Sequence, residues 1–379
     1  MKRKTVEGSV GIAEAVKSCE PKVIGAYPIT PQTHIVEALA HIVASGELDA
    51  QFINAESEHS AISITEGACA GGVRTFTATS SQGLLLMHEV LFNASGMRLP
   101  MVMVVANRAV GAPLNIWNDH QDSIAQRDSG WIQLYCESNQ EAIDTVIQAF
   151  KIAESVFIPI MVCMDGFYLT HTVEPLEIPE KREVSKFLPK FKPKMVLDPN
   201  KPISIGVYAF PLHYQDFRED LQKDMLNAKK KIVEVDREFG KHFGRTYGGL
   251  VEEYKTRGAK YIFLSIGSVI GNAKEVVDEL RKKGEKVGVV RIRSFRPFPA
   301  SEIKKILEGK KAVAVFEKSI SVGGASPIFT EVNSLLPGVK KKPVLSSFVG
   351  GLGGKDVTTK DIKKIFNKIK NGKPHVGFV

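Results

Sequence analysis

The sequence predicts an α/β protein built on a doubly wound parallel sheet, followed by a second α/β unit. Two observations predict this fold class. Short apolar runs recur along the first half of the chain, and segments with helical periodicity separate them. Strands that are apolar on both faces and alternate with helices are typical of a parallel sheet covered on both sides.

The individual elements follow from these runs. Buried strands are predicted at residues 23–26, 51–54, 75–78, 100–106 and 158–164, and the clearest helix at 140–154. A further helix is predicted at 82–93. In the second half, a strand and turn are predicted at 261–268 and strands at 286–292 and 311–316, with a helix at 271–283. This order of strands and helices predicts a second α/β unit.

Charge and proline content divide the chain. Residues 1–180 carry 10 Lys and Arg against 21 Asp and Glu, whereas residues 181–379 carry 41 against 21. Four prolines fall between residues 189 and 202, and proline neither continues a helix nor fits a central strand. We therefore predict a first domain at 1–172, an extended Pro-rich linker at 173–202 and a second domain at 203–379.

Composition excludes several classes of protein. No run of about 18 uncharged apolar residues predicts a membrane span, and no apolar stretch follows the basic N-terminus as in a signal peptide, so we expect a cytoplasmic protein. The four cysteines are widely spaced, which favours core thiols over zinc or iron–sulfur ligands. The lysines of the second half are scattered without a nucleic-acid-binding motif. They are either solvated or form a docking surface for acidic partners.

Polar residues follow four of the predicted strands. Thr30 follows the first, Glu58 the second, a Thr-Ser-Ser sequence at 79–81 the third and Arg108 the fourth. Because ligands bind beyond the carboxyl ends of the strands in such sheets, we expect these groups to converge on one ligand site. The helix after Glu58 consists largely of small residues, which would allow a planar ligand to approach closely.

Each of these residues also has a structural interpretation. Thr30 followed by Pro31 matches a helix N-cap with proline at the first helical position. Residues 79–81 would cap the next helix, and Glu58 would cap its own helix, because acids are favoured near the positive end. Arg108 would pair with Glu56 or Asp119. The long polar loop 110–127 suggests function, but its His120 beside Asp119 has no second metal ligand nearby in sequence, which favours a hydrogen-bonding role.

Seven ordered motifs carry a family resemblance. They are 26–33 (AYPITPQT), 56–61 (ESEHSA), 76–83 (FTATSSQG), 115–122 (NIWNDHQD), 267–269 (GSV), 291–299 (RIRSFRPFP) and 350–356 (GGLGGKD). Together they span nearly the whole chain and resemble the α subunits of the pyruvate:ferredoxin oxidoreductase (pyruvate synthase) family. The resemblance implies a thiamine diphosphate pyrimidine-binding domain followed by a transketolase C-terminal-like domain.

The resemblance also assigns residue roles. The acid that matches Glu58 bonds the pyrimidine ring of thiamine diphosphate and favours the tautomer that takes part in proton transfer. Tyr27 and Pro28 would contact the cofactor. Thr30 and Arg108 match residues that hold the substrate, and a planar guanidinium suits a carboxylate because it can donate two parallel hydrogen bonds. These residues constitute the predicted catalytic and binding site.

The chain lacks other parts that this chemistry requires. Thiamine enzymes hold the diphosphate and Mg²⁺ with a Gly-Asp-Gly motif, and no Gly-Asp pair occurs here. Cysteine motifs for iron–sulfur clusters are absent as well. The resemblance therefore implies a β subunit with the diphosphate and Mg²⁺ half of the site, γ and δ subunits with [4Fe-4S] clusters, and ferredoxin as the electron acceptor.

The expected reaction is oxidative decarboxylation of pyruvate with coenzyme A to acetyl-CoA and CO₂, and the 27–30 motif (YPIT) favours pyruvate. Two alternatives stay open at the level of sequence. One is the same chemistry on 2-oxobutyrate, a branched-chain 2-oxo acid, 2-oxoglutarate or oxalate. The other is a non-catalytic scaffold or electrostatic binding module with the same fold.

Overall fold

The computed structural model describes residues 2–379 and contains two sheets and one two-stranded ribbon. The strands are β1 Lys2–Glu7, β2 Val23–Ala26, β3 Gln51–Asn54, β4 Thr75–Thr79, β5 Val102–Asn107, β6 Ile132–Tyr135, β7 Ile160–Asp165, β8 Val173–Ile178, β9 Val251–Tyr254, β10 Tyr261–Ser265, β11 Val287–Ile292, β12 Ser294–Arg296, β13 Ala312–Glu317, β14 Val344–Val349 and β15 Val376–Phe378.

Thirteen α-helices lie within the described residues. They are α1 Gly8–Cys19, α2 Thr33–Ala44, α3 Glu58–Ala70, α4 Ser81–Leu86, α5 His88–Gly96, α6 Gln121–Ile124, α7 Asn139–Val156, α8 Lys181–Phe187, α9 Pro211–Phe243, α10 Val269–Lys282, α11 Ala300–Leu307, α12 Pro327–Ser334 and α13 Thr359–Lys370. Two 3₁₀ turns occur at Leu336–Gly338 and Leu352–Gly354.

The first sheet has seven strands in the order β12-β6-β7-β5-β4-β2-β3. Six of them are parallel, and only β12 runs antiparallel to its neighbour. Strands β4, β5, β6 and β7 are buried along their whole length, as expected for a sheet with helices on both faces. The predicted doubly wound α/β class is confirmed.

Two expectations for this sheet were wrong in detail. Strand β3 is not buried, because it forms an edge of the sheet and three of its four residues are exposed. The helix predicted at 82–93 consists of two helices, α4 and α5, with Met87 between them. The turn at Met87 lets both short helices bury an apolar side against the same core cluster.

The second sheet has six strands in the order β15-β14-β13-β10-β11-β9. Only β9, at one edge, is antiparallel to its neighbour. Its helices α10 and α13 have apolar residues at helical spacing on one face, including Val276 and Leu280 of α10 and Ile362 and Phe366 of α13, and these side chains form one core cluster. The predicted second α/β unit is therefore present.

The two sheets are joined through shared elements. Strand β12 follows β11 of the second sheet directly, yet it pairs with β6 of the first. Helix α9 packs on α7 and contributes Ile232, Val235 and Phe239 to the core of the first sheet. The segment predicted as an extended linker contains β8 and α8, and β8 pairs with β1. The domain boundaries at 172 and 202 stay a prediction.

A buried polar cluster fixes the contact between the two halves. The Lys318 ammonium donates to Asp165 at 2.8 Å and to the Asn118 amide oxygen at 2.9 Å. His120 Nε2 lies 2.7 Å from the second oxygen of Asp165, and Ser268 Oγ donates to the first. Because every partner of this carboxylate is buried or half-buried, the cluster holds the loop 110–127 of the first half against the second sheet.

Candidate cofactor and substrate site

Glu58 is the first residue of α3, directly after the N-cap Ser57. The Ser57 hydroxyl, not the Glu58 carboxylate, accepts the hydrogen bond from the Ser60 amide. The interpretation of Glu58 as a cap of its own helix is therefore wrong. The small residues of α3 let the helix lie close to β2, since a Cβ at Gly25 would come within 2.3 Å of the Ala61 carbonyl oxygen.

Glu58 is a buried residue, only 7% exposed, and its carboxylate has no hydrogen-bond donor among the described residues. Nearby, the Thr79 hydroxyl is buried without a partner. Gly83 faces both groups, and a Cβ at this position would lie 2.6 Å from Glu58 Oε1 and 2.7 Å from Thr79 Oγ1. The backbone at Gly83 therefore packs directly against two oxygens that have no hydrogen-bond partner among the described residues.

Thr30 and Arg108 are brought into direct contact. Arg108 Nη1 donates to the Thr30 carbonyl oxygen at 2.9 Å, and its Nε donates to the Asn115 carbonyl at 3.0 Å. Among residues 2–379, the Nη2 group of Arg108 has no hydrogen-bond partner, so it is available to an anion. The expected pairing of Arg108 with Glu56 or Asp119 is wrong, because Glu56 accepts from Ser60 and Asp119 from backbone amides.

Thr30 is not the N-cap of α2. The helix begins at Thr33, and Gln32 occupies the N-cap position. The Thr30–Pro31 peptide bond is cis, and the Thr30 residue is exposed. Its side chain is therefore free for a ligand instead of being used to start the helix.

Tyr27 and Pro28 lie in the turn between β2 and α2, where Tyr27 is half-buried and Pro28 is exposed. The buried Gln32 amide holds this turn by donating to the Ala78 carbonyl oxygen at 2.6 Å, and Ile29 N donates to the Gln32 side-chain oxygen. One amide thus attaches the turn to the end of β4. The sequence contained Gln32 within the 26–33 motif but gave no sign of this role.

Asp122 links the strand ends and was not predicted as a site residue. Its carboxylate accepts hydrogen bonds from the backbone amides of Ser81 and Arg108 and from the Asn107 side chain. Burial raises the pKa of Asp122 to about 6, although these three donors favour its charged form. Burial also lowers the pKa of Arg108, and the Asp122 charge opposes this change. Asp122 therefore positions Arg108 through its backbone.

No side chain of residues 79–81 caps α4 with a hydrogen bond, so the capping interpretation is wrong. Ser80 is the N-cap of α4, but its hydroxyl donates to the Ala106 carbonyl at 2.7 Å instead of capping. The Ser81 hydroxyl bonds the Ala109 carbonyl, and Ser81 has a positive φ of 51°. These bonds tie the end of β4 to the segment after β5.

Asp119 and His120 lie at the contact between the two halves, as described above, and His120 is hydrogen-bonded as expected.

The first half of the chain, with its parallel sheet, its unpaired Glu58 carboxylate and the Arg108 cation beside Thr30, is a thiamine diphosphate-binding domain. Two family models match the chain. The model described as "Pyruvate flavodoxin/ferredoxin oxidoreductase, thiamine diP-bdg" matches residues 14–237, and "Pyruvate:ferredoxin oxidoreductase core domain II" matches residues 259–362. The chain belongs to the pyruvate:ferredoxin oxidoreductase family, within the 2-oxoacid:ferredoxin oxidoreductases.

Curated relatives agree with this membership. The chain is 52% identical to a pyruvate synthase subunit PorA of Methanocaldococcus jannaschii, over 97% of this chain and 95% of the relative. It is 51% identical to PorA of Pyrococcus furiosus, over 94% and 90%. A ketoisovalerate oxidoreductase subunit VorA of Pyrococcus abyssi is 45% identical, over 97% and 93%.

A solved structure shows the same fold. The 2-oxoglutarate:ferredoxin oxidoreductase of Magnetococcus marinus superposes with a TM-score of 0.72 at 20% identity. The match covers 98% of this chain and 65% of the other. No helix among residues 2–379 has both the length and the apolar character needed to cross a membrane.

Proposed function

We propose that this chain is the α subunit of a pyruvate:ferredoxin oxidoreductase and supplies the pyrimidine half of its thiamine diphosphate site. The observation that carries the proposal is the Glu58 carboxylate, which is buried and lacks a donor among the described residues. The relatives named pyruvate synthase subunits, at about half identity over nearly the full chain, support the same assignment.

The residues present fit the cofactor. An aminopyrimidine offers a ring nitrogen and an amino group, and Glu58 and Thr79 offer a carboxylate and an unpartnered hydroxyl. In our proposal Glu58 holds the proton shared with the ring nitrogen, and the Tyr27–Pro28 turn lies against the cofactor. When bound, thiamine diphosphate supplies the carbanion chemistry that decarboxylation requires.

Thr30 and Arg108 are proposed to hold the substrate. The free Nη2 group of Arg108 would donate to the carboxylate of the 2-oxo acid, while its Nε and Nη1 stay on backbone carbonyls. This arrangement fixes the guanidinium before the substrate arrives, so little side-chain freedom is lost on binding. Thr30, an exposed residue whose carbonyl oxygen accepts from Arg108 Nη1, would orient the reacting end with its hydroxyl.

The overall reaction requires partners. Pyruvate and coenzyme A would give acetyl-CoA and CO₂, with two electrons leaving for ferredoxin. The chain has no Gly-Asp pair, and its four cysteines are buried and free. In our proposal a β subunit holds the diphosphate and Mg²⁺, γ and δ subunits carry [4Fe-4S] clusters, and the assembly is cytoplasmic.

A specific observation favours one alternative substrate. The 45% identity to a ketoisovalerate oxidoreductase subunit is close to that of the pyruvate synthase relatives, so a branched-chain 2-oxo acid is the second candidate. Purification of the tagged chain from its own cells, followed by a panel of 2-oxo acids with coenzyme A and a viologen acceptor, separates the two.

The expected result is a complex that contains a partner with a Gly-Asp-Gly motif and is most active with pyruvate. Preference for ketoisovalerate would shift the assignment to the alternative. A stable solitary chain without bound thiamine would instead support the scaffold interpretation and contradict the enzyme.

A further inference from the structure

Glu7, His34 and His171 form a cluster outside the proposed cofactor site. Glu7 ends β1, His34 lies in the first turn of α2, and His171 lies in the turn after β7. His34 Nδ1 is 2.7 Å from Glu7 Oε1, and the two imidazole rings lie with centroids 4.6 Å apart. Three separate segments thus bring two imidazoles and one carboxylate together.

The donor atoms are close enough for one ion. One ligand atom of each residue lies within 4.8 Å of the other two. A first-row metal with bonds of about 2.0–2.2 Å holds its ligands roughly 3.3 Å apart, so small side-chain rotations would complete the set. The His34 side chain is 44% exposed, which gives it room to rotate and leaves a path from solvent.

His171 is oriented by a contact within its own turn. Its Nδ1 lies 2.8 Å from the Thr170 hydroxyl, and its Nε2 has no hydrogen-bond partner among the described residues. A hydrogen bond at one ring nitrogen fixes the orientation of the imidazole and leaves the other nitrogen available to an ion.

We propose that Glu7, His34 and His171 form a binding site for a divalent first-row transition metal of the zinc and cobalt class. Two imidazoles and a carboxylate suit these ions, whereas Mg²⁺ and Ca²⁺ favour oxygen ligands. The ion ties the end of β1, the start of α2 and the turn after β7. The same turn contacts the Thr30–Pro31 segment, since a Cβ at Gly166 would come within 2.7 Å of Pro31 Cγ.

The test is to remove any bound metal from the full chain with a chelator and then to titrate the chain with Co²⁺. Binding is measured by isothermal titration calorimetry and by the visible absorption of the ion. We expect one Co²⁺ per chain, with at least tenfold weaker binding in His34→Ala and His171→Ala. Glu7→Gln keeps the size of the side chain and should weaken binding without unfolding, which far-ultraviolet circular dichroism checks. His41→Ala is the matched control, because His41 is an exposed histidine on the same helix.

Unchanged Co²⁺ affinity in folded His34→Ala and Glu7→Gln chains would overturn the proposal, as would the absence of a stoichiometric site in the parent chain. Equal loss in His41→Ala would show non-specific surface binding and would overturn it as well. None of these outcomes depends on catalytic activity, so they are independent of the proposed enzyme function.

Discussion

At the scale of single residues, the proposed chemistry depends on a carboxylate whose surroundings provide no competing donor. Glu58 and the exposed Glu56 are separated by one residue, and their hydrogen bonding differs completely. Glu56 bonds the Ser60 hydroxyl at the surface, whereas Glu58 is buried next to Gly83. Sequence position alone could not distinguish the two acids; the orientation of the first turn of α3 does so.

Replacement of Glu58 tests its proposed role. We expect Glu58→Ala to leave the complex assembled but to lower turnover roughly 10²–10⁴-fold, the usual contribution of a positioned proton-transfer group. Exchange of the C2 proton of thiamine diphosphate, measured by NMR, should slow together with turnover. Glu56→Ala is the matched control and should exchange normally. Normal exchange in Glu58→Ala would refute the assignment.

Arg108 should act on substrate binding. Loss of a charged hydrogen bond costs about 1.5–3 kcal/mol, so we expect Arg108→Ala to raise the KM for the 2-oxo acid roughly ten- to 100-fold. Cofactor affinity should change little, because the guanidinium contacts the Thr30 and Asn115 carbonyls and not the Glu58 region. Steady-state kinetics of the complex measure this. An unchanged KM would assign Arg108 to structure alone.

At the scale of elements, short helices after strands place backbone close to the site. Gly83 of α4 and Gly96 of α5 are both helical glycines, but their surroundings differ. A Cβ at Gly83 would meet the Glu58 and Thr79 oxygens, whereas a Cβ at Gly96 would meet nothing within 4 Å. The absence of a side chain at position 83 lets α4 pack directly against the Glu58 and Thr79 side chains.

The two glycines give a matched pair of substitutions. Gly83→Ala should abolish most activity, because the added Cβ would lie 2.6 Å from Glu58 Oε1 and would displace the carboxylate, while the chain stays folded. Gly96→Ala should keep activity and raise the free energy of unfolding by about 0.4–1 kcal/mol, because alanine has fewer unfolded conformations. Activity assays and denaturant unfolding of both variants measure this. Full activity of Gly83→Ala would show that the position of the Glu58 carboxylate beside Gly83 does not matter for activity.

The sequence predicts a helix or strand well when the residues that cause it lie close together along the chain. Strand β2 and helix α7 were predicted because apolar residues recur within each of them. Strand β6 was missed because Gln133 interrupts its short apolar run. Helix α9 has apolar residues at Leu221, Met225, Ala228 and Ile232, a helical spacing that could have revealed it behind the many charged residues.

The site was predictable in its residue types but not in its connections. Polar residues at strand ends identified Thr30, Glu58 and Arg108 as candidates. The roles of Asp122 and Gln32 depend on contacts between segments that are distant in sequence, 41 residues for Asp122 with Ser81 and 46 for Gln32 with Ala78. A local pattern carries no information about such contacts.

At the scale of the whole molecule, the Asp165–Lys318–His120 cluster joins the two halves. Burial alone would raise the pKa of Asp165, but the charges and hydrogen bonds of Lys318 and His120 outweigh it and hold the pKa well below the ordinary value. The group thus contributes stability that is present above the ordinary Asp pKa and is lost as pH falls through the folded value.

Asp165→Asn should therefore destabilise the chain strongly at neutral pH. Removal of one partner from a buried ion pair costs about 3–5 kcal/mol, because the Lys318 charge stays buried without its counter-charge. The exposed pair of Asp49 with Lys22 gives the control, and Asp49→Asn should cost no more than about 1 kcal/mol. Denaturant unfolding at pH 7 measures both. Equal, small losses would show that the cluster does not hold the halves together.

Strand β12 has a consequence for how the chain is made. Its residues, Ser294–Arg296, complete one edge of a sheet whose other strands all lie before residue 166. During synthesis, β6 therefore emerges from the ribosome roughly 160 residues before β12 does. The ribosome adds about 5–20 residues per second, so this interval lasts many seconds. For that interval the nascent first sheet has an unpaired edge, which is where association with other chains begins.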